Sequence, residues 1–100
     1  MTSRGVVRLL NTSGGRALCL AGAIDGRVVE DFHARYGREP ARIDRIDAAS
    51  VTSLTGPGVD LLLDHLEVAR RSGRSVELAC APLVERLLGD ALPDGRRRPV

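Results

Sequence analysis

The sequence predicts an α/β fold in which a mixed sheet of four to five strands packs against about three helices. Two short apolar runs near the start of the chain flank a cluster of turn residues, Asn11-Thr12-Ser13-Gly14-Gly15, which is typical of a β-hairpin. Farther along, segments that can run extended alternate with segments whose apolar residues recur at helical spacing. A hairpin followed by this alternation indicates a mixed sheet with helices on one or both faces.

Length and composition indicate a single domain with an aliphatic core. The chain has 100 residues, of which 43% are hydrophobic, and its two aromatic residues are Phe32 and Tyr36. A chain of this size can close one core without disulfides or a metal ion. We place the domain at residues 1–92 and expect residues 93–100, which include three consecutive arginines, to be a disordered tail.

The charge pattern argues against nucleic-acid binding. All 15 basic residues are arginines, and the formal net charge is +2. Setting aside the three arginines of the tail leaves 12 basic residues against 13 acidic ones, so the folded body is close to neutral. Nucleic-acid interfaces instead interleave basic with aromatic residues, a pattern that this sequence lacks.

The first half of the chain predicts two strands and a helix. Residues 6–10 and 17–20 form the arms of the hairpin, and Asp25-Gly26 ends the second strand. Residues 27–36 form a helix that stops at Gly37. Its apolar residues share one face: Val28, Val29, Phe32 and Tyr36.

The second half predicts a long helix, a strand and a short helix. The long helix runs from residue 57 or 58 to residue 72, and Gly73 suits a left-handed cap. Residues 75–79 form a strand, and Pro82 opens a short helix that ends at Leu88. The apolar stripe of the long helix consists of Val59, Leu62, Leu63 and Leu66. We therefore expect Leu62 and Leu66 to face the sheet, and the acidic residues Asp60, Asp64 and Glu67 to face water or a partner.

The segment Val51-Thr52-Ser53-Leu54-Thr55-Gly56-Pro57-Gly58 predicts a strand-to-helix corner and the functional centre of the chain. Small and hydroxyl residues lie here between the extended segment 43–51 and the long helix. A helix start exposes unpaired backbone N–H groups, which favour an anion, a phosphorylated side chain or an acidic group of a partner. We therefore expect function at this corner.

Several motifs in order along the chain resemble STAS domains, the fold of bacterial anti-sigma factor antagonists. Leu20-Ala21-Gly22-Ala23-Ile24-Asp25 resembles the family's L-x-G-x-[LI]-D strand end, and Asp47 with Val51-Thr52 resembles its central D-x-x-x-V-T strand. Residues 73–78 and 82–88 resemble its last strand and last helix. The resemblance covers residues 5–92. It also favours a strand at residues 42–47, where charged residues outnumber apolar ones and propensity alone argues against a strand.

The corner departs from the family's usual Asp-Ser-Ser/Ala-Gly. Aligned through Gly58, the family's Asp falls on Thr55, its phosphorylatable Ser on Gly56, and the next small residue on Pro57. The usual phosphate acceptor is therefore absent. Thr55 and Ser53 are conceivable substitute phosphosites, although hydroxyl residues beside helix starts ordinarily serve as caps or turn formers.

The resemblance implies a regulatory binding protein. Its partner would be an anti-sigma factor or a serine-protein kinase of the GHKL type, with other STAS proteins as further candidates. The candidate partner-binding residues are Asp25, Gly26, Ser53, Leu54, Thr55, Gly56, Pro57 and Gly58. Two alternatives stay open at this point: the small STAS subunit of a bacterial lipid-transport ABC complex, and a domain that binds a small anion at the helix start.

No catalytic site, cofactor or metal site is predicted. The sequence lacks the G-x-S-x-G, P-loop and H-E-x-x-H motifs. We assign His65, with Asp64, to a solvated helix face, and His33 to a helix beside Asp31. Cys19 and Cys80 stand in apolar runs without a nearby ligand at metal-binding spacing, so we interpret them as small, reduced core residues.

The chain is expected to be cytoplasmic and not to insert directly into a membrane. Its first residues lack the apolar segment of a secretory signal, and no apolar run approaches membrane-spanning length.

Overall fold

A computed structural model describes residues 5–13 and 15–89 of the chain. Within these residues one four-stranded sheet has the order β1-β2-β3-β4, and three helices pack against it. The elements in chain order are β1 (Val6–Thr12), β2 (Gly15–Ile24), α1 (Gly26–Tyr36), β3 (Arg45–Leu54), α2 (Gly56–Arg71), β4 (Glu77–Cys80) and α3 (Pro82–Leu88). The predicted α/β fold with a mixed sheet is confirmed. The expected domain end at residue 92 and the expected tail at 93–100 lie outside the described residues.

The hairpin between β1 and β2 forms where the turn residues predicted it, with longer arms than expected. The two strands are antiparallel, with Val6 opposite Ala21 and Thr12 opposite Gly15. Gly15 has a φ of 132°, a conformation that other residues rarely adopt. The Thr12 hydroxyl donates a hydrogen bond of 2.9 Å to the Gly15 carbonyl and so closes the turn.

One face of the sheet carries the core. Side chains alternate along each strand, and the inward row Val7, Leu20 and Leu18 continues across β3 and β4 through Ile46 and Leu78. These residues join buried side chains from all three helices in one apolar cluster. Apolar burial of this kind is the main favourable contribution to folding.

The opposite face of the sheet is more polar and corrects the expectation for Cys19. Arg8, Cys19, Asp47 and Ala79 lie side by side on the four strands, each half-buried or exposed. Cys19 is therefore not a core residue, because its position in β2 points it away from the helices. Partial burial, and next the neighbouring Asp47 carboxylate, raise the pKa of the Cys19 thiol. Cys80 is also half-buried, but it packs against the core cluster as expected.

Strand β3 forms despite its poor propensity, and it begins and ends later than expected. Ile46, Ala48 and Val51 point into the core. The interval between successive inward-facing residues therefore changes from two positions to three. The change occurs at an irregularity of the pairing with β2, where the Ala49 N–H donates to a carboxylate oxygen of Asp47 at 3.3 Å. An extra residue of this kind bends a strand and shifts which side chains face inward. The charged residues therefore lie on the polar face while the apolar ones stay buried.

Asp44, just before β3, joins the beginnings of three strands. Its backbone N–H donates to the Arg16 carbonyl of β2 at 2.8 Å, and its carbonyl accepts from the Glu77 N–H of β4 at 3.0 Å. Its carboxylate accepts from the Arg16 N–H at 3.0 Å and from the Arg74 guanidinium. The bond from the Arg16 N–H, followed by that from Arg74, lowers the pKa of Asp44 below its ordinary value.

Helix α2 turns the predicted stripe toward the core, but Val59 and Leu63 of that stripe are only half-buried. Leu62 and Leu66 are buried, while Asp60 and Asp64 are exposed. Glu67 is half-buried and pairs with two arginines of the last turn. The buried residues of the helix are Gly58, Leu61, Leu62, His65, Leu66 and Ala69. The assignment of His65 to a solvated face is wrong, because position 65 continues the inward stripe and the imidazole is only 1% exposed.

The other helix assignments hold with small changes. Val28, Val29 and Phe32 of α1 are buried. Tyr36 is 39% exposed, and its ring lies beside that of Phe32 at a centroid distance of 4.9 Å. Gly37 follows the end of α1 as the predicted stop, and Gly73, with a positive φ of 69°, lies just after α2 as predicted for a left-handed cap.

Replacing Leu62 by Ala should lower the free energy of unfolding by about 2–5 kcal/mol, because Leu62 is fully buried and the change leaves a cavity. The exposed Asp60, two residues earlier on the same helix, gives the matched control, and Asp60→Ala should change stability by less than about 0.5 kcal/mol. Urea unfolding monitored by circular dichroism measures both. Equal losses for the two variants would contradict the packing described for α2.

Candidate functional site

Two helix starts lie side by side at one edge of the sheet. Strands β2 and β3 are parallel, and their final pair is Ile24 with Leu54. The chain turns into α1 directly after Ile24 and into α2 directly after Leu54. The carboxyl ends of parallel strands meet at one edge, so residues far apart in sequence become neighbours. We call Asp25, Gly26 and residues 53–58 together the corner surface.

Direct contacts join the two halves of the corner surface. The Thr55 N–H and the Thr55 hydroxyl both donate to the Ile24 carbonyl, at 3.0 Å and 3.3 Å. Gly26 lies against Pro57, since a Cβ built on Gly26 would be 3.7 Å from the Pro57 Cγ. The structure thus brings together Asp25-Gly26 and residues 53–58, which the sequence analysis identified as separate candidate segments. Their contact could not be inferred from spacing, because Gly26 and Pro57 are 31 positions apart in the sequence.

Asp25 is the N-cap of α1. Its backbone is extended, and its carboxylate accepts a hydrogen bond of 3.1 Å from the Val28 N–H. The Asp25 carbonyl accepts the first helical bond, from Val29, at 3.0 Å. A capping carboxylate of this kind satisfies an N–H group that the helix itself cannot pair. The side chain is exposed, so it stabilises α1 and also contributes negative charge to the corner surface.

Thr55 is the N-cap of α2 but does not cap it through its side chain. The hydroxyl bonds to Ile24 across the corner, and no cap bond forms within α2. The helical bonding begins with the Val59 N–H, which donates to the Thr55 carbonyl at 3.0 Å. Pro57 has no N–H, and the amides of Gly56 and Gly58 have no acceptor among the described residues. The start of α2 is thus less satisfied than the start of α1.

The two glycines of the corner surface differ in their surroundings. Gly58 is buried, and a Cβ built on it would lie 2.5 Å from the Leu54 Cδ1 and 3.0 Å from the Ile24 Cγ2. Gly58 therefore lets α2 approach the ends of β2 and β3 closely. Gly56 is exposed, and a Cβ built there would meet no atom within 4 Å. Packing gives no reason for a glycine at position 56.

The eight residues predicted from the sequence divide into surface and packing positions. Leu54 is half-buried against the core, and Gly58 is buried, so both support the corner from within. The remaining six are exposed or half-buried and can be touched from outside: Asp25, Gly26, Ser53, Thr55, Gly56 and Pro57. Within the described residues no group of three potential metal ligands occurs.

Acidic residues continue the corner surface along α2. Asp60 and Asp64 are one turn apart and exposed, and neither forms an ion pair within the described part of the chain. Glu67, the next acidic residue on the helix, is already paired with Arg70 at 2.6 Å. The unpaired negative charge therefore lies in the first and middle turns of α2, and the paired Glu67 lies closer to its end.

A solved structure has the same fold as this chain. It is the crystal structure of an antisigma-factor antagonist, STAS domain, from Rhodobacter sphaeroides, with a TM-score of 0.51 and 18% sequence identity. The similarity covers 89% of this chain and 96% of that one. The expectation of a STAS-like fold is therefore confirmed. No protein-family model matches the chain, and no curated protein matches it. In the described residues no helix is long and apolar enough to cross a membrane.

Gly58→Ala should destabilise the fold by about 1–3 kcal/mol, because the added methyl group collides with Leu54 and Ile24 in a packed region. Gly56→Ala is the matched control two residues earlier. It adds the same methyl group in open space, and it should leave stability unchanged or raise it by up to about 1 kcal/mol through the unfolded state. The midpoints of urea unfolding of the two variants and the natural chain measure both effects. A loss for Gly56→Ala as large as for Gly58→Ala would show that the helix start is packed differently.

Proposed function

We propose that this protein is a non-enzymatic regulatory binding module of the cytoplasm, acting as an anti-sigma factor antagonist does. Its partner is an anti-sigma factor or a serine-protein kinase of the GHKL type, in a partner-switching or stressosome-like pathway, with other STAS proteins as further partners. The observation that carries the proposal is the corner surface, where two helix starts with exposed small residues lie side by side on a rigid sheet edge.

The rigidity of the corner surface supports a binding role. Thr55 is bonded to Ile24 through both its amide and its hydroxyl, and Asp25 is bonded to the first turn of α1. Short loops held on a rigid scaffold commonly carry binding residues, because little freedom is lost when the partner binds. Gly56 has no side chain, so a partner can reach the backbone amides at the start of α2.

The charge beside the corner surface indicates what the partner presents. Asp25, Asp60 and Asp64 are exposed, and the two aspartates of α2 have no ion-pair partner in the described residues. A partner with basic residues opposite α2 would complement this charge, which speeds association and fixes orientation.

The surroundings of the histidines support a role without catalysis. A general base must lie within hydrogen-bond reach of the hydroxyl that it activates. The Thr55 hydroxyl bonds to a backbone carbonyl instead. His65 is buried with both ring nitrogens in hydrogen bonds, and His33 Nδ1 lies 3.2 Å from the Gly37 carbonyl. Neither histidine is directed at the corner hydroxyls.

Gly56 determines how the proposed protein would be regulated. In the register through Gly58, it occupies the position of the family's phosphorylatable serine. Phosphorylation of a serine adds between about −1.5 and −2 charges and can repel a partner. A glycine cannot take a phosphate, so the protein stays competent to bind its partner. Thr55 and Ser53 are exposed hydroxyl residues beside this position and are the substitute sites if modification occurs.

Affinity capture from the native lysate tests the proposal. The natural chain serves as bait, and mass spectrometry identifies bound proteins and any phosphate on residues 50–55. Recovery of an anti-sigma factor or a GHKL-type kinase supports the proposal. Recovery of an ABC ATPase of a lipid-transport complex would overturn it in favour of the transport subunit.

Gly56→Ser should restore phosphorylation by the captured kinase, because position 56 is open and a serine there projects into solvent. The natural chain should remain unlabelled when both are incubated with the kinase and labelled ATP. Ala34→Ser is the matched control, since Ala34 is exposed on α1 far from its start. Stoichiometric label on the natural chain would contradict this expectation and point to Thr55 or Ser53.

Gly56→Arg should weaken binding of the captured partner by at least tenfold, or about 1.4 kcal/mol, because it places bulk and positive charge on the corner surface. The open surroundings of Gly56 predict that the variant folds normally, which circular dichroism can check. Ala34→Arg adds the same side chain elsewhere on an exposed helix position and should bind as the natural chain does. If Gly56→Arg retains full affinity by calorimetry, the interface lies away from the corner.

A further inference from the structure

His65 is a buried histidine whose two ring nitrogens have fixed and opposite roles. Nδ1 lies 2.8 Å from the Leu61 carbonyl, which can only accept, so Nδ1 carries the proton. Nε2 lies 3.1 Å from the Ala41 N–H, which can only donate, so Nε2 offers a lone pair. The side chain is 1% exposed. The geometry therefore fits one form of the ring, the neutral imidazole protonated at Nδ1.

A second proton on His65 would break the contact with Ala41. It would sit on Nε2 and point at the Ala41 N–H, so two donors would face each other. A buried charge without a compensating acceptor is also costly. Burial is the main reason that the pKa of His65 lies below its ordinary value, and the bond from Nδ1 to Leu61 opposes that effect.

The groups around the ring come from three parts of the fold. From α1, the Phe32 ring lies edge-on with a centroid distance of 6.3 Å, and His33 disfavours a charge on His65. From α2 itself, Asp64 favours that charge but is exposed. The connection between α1 and β3 contributes the Ala41 backbone, and its charged side chains, all exposed, are Arg38, Glu39, Arg42 and Asp44. Among the described residues, neither ring nitrogen has an acidic hydrogen-bond partner that would hold a protonated ring where it now lies.

The bond to His65 attaches the backbone in the middle of that connection to α2. Upstream, Gly37 is tied to His33 of α1. Downstream, Ile43 is 1% exposed and Asp44 is bonded to β2 and β4. For residues 38–42, the Ala41 N–H to His65 Nε2 contact is the sole backbone hydrogen bond found among the described residues. The segment is therefore anchored at both ends, and its backbone is hydrogen-bonded at one point between them. The Arg38 side chain adds an exposed ion pair with Glu30 of α1 at 2.8 Å, and Ala41 packs against the core cluster.

We infer that His65 is a pH-sensitive latch that holds residues 38–42 on α2 when its imidazole is neutral and releases them when the imidazole takes a second proton. The inference is independent of the function proposed for the corner surface. In the released state the ring reaches water and has the ordinary histidine pKa of about 6.5. The released state then binds more protons than the latched state, so acid favours release. The latch is closed above about pH 6.5 and weakens as the pH falls below it.

Amide hydrogen exchange of the natural chain between pH 5 and 8 tests the latch. After correction for intrinsic exchange, the protection factor of the Ala41 amide should be constant above about pH 6.5 and fall by up to tenfold per pH unit below it. The Asp44 amide, bonded to the Arg16 carbonyl in the same connection, is the internal reference and should stay flat. A flat profile for Ala41, or an equal fall for Asp44, would overturn the latch.

Two variants separate the role of His65 from that of the other histidine. His65→Gln removes the titrating group and should abolish the pH dependence at Ala41, whereas His33→Gln should retain it. If His65→Gln does not fold, the ring of the natural chain still decides the matter by nitrogen NMR. The expected spectrum at pH 7.5 is that of the neutral Nδ1-protonated ring, and a spectrum with the proton on Nε2 would overturn the inference.

Discussion

The parallel pairing of β2 with β3 is the constraint on which the rest of the structure depends. The pairing ends with Ile24 beside Leu54, so both strands reach the same edge of the sheet together. Each strand is followed at once by a helix, and the two helix starts must therefore be neighbours. The bonds from Thr55 to the Ile24 carbonyl continue the strand pairing into the corner. Without this register, Asp25-Gly26 and residues 53–58 would not form one surface.

The pairing of β2 with β3 also constrains the start of α2 and the opposite end of the sheet. Helix α2 must begin directly above the ends of both strands, and Gly58 makes room for Leu54 and Ile24 there. At the opposite end of the sheet, Asp44 joins β2, β3 and β4 through backbone and side-chain bonds. The irregularities within the β2–β3 ladder lie between these two fixed ends and keep Val51 in the core. The register is therefore held by packing and the Thr55 bonds at the corner surface, and by the bonds of Asp44 at the opposite end.

Most of the helices and strands could be predicted from local sequence patterns. The features that could not be predicted depend on tertiary contacts. The helices followed from apolar spacing and from Gly37 and Gly73, because these signals act within a few residues. Strand β3 was weakly signalled, because its inward spacing changes at an irregularity that only the partner strand defines. The burial of His65 was missed, since a histidine beside an aspartate suggests a solvated face. The signal that could have revealed it is its position on the stripe of Leu61, Leu62 and Leu66. The acceptor for its Nδ1–H is local, but the donor to its Nε2 lies 24 residues away.

The core constrains one glycine in the first turn of α2 and leaves the other free. Gly58 is required by the core, since any side chain there meets the ends of two strands. Gly56 is not, because its surroundings are open and its φ is not in the left-handed region. A serine at position 56 would fit the fold as well as the glycine does. The fold therefore permits a phosphate acceptor at this position without needing one. Residue 56 can therefore change from glycine to serine without altering the interactions that hold the domain together.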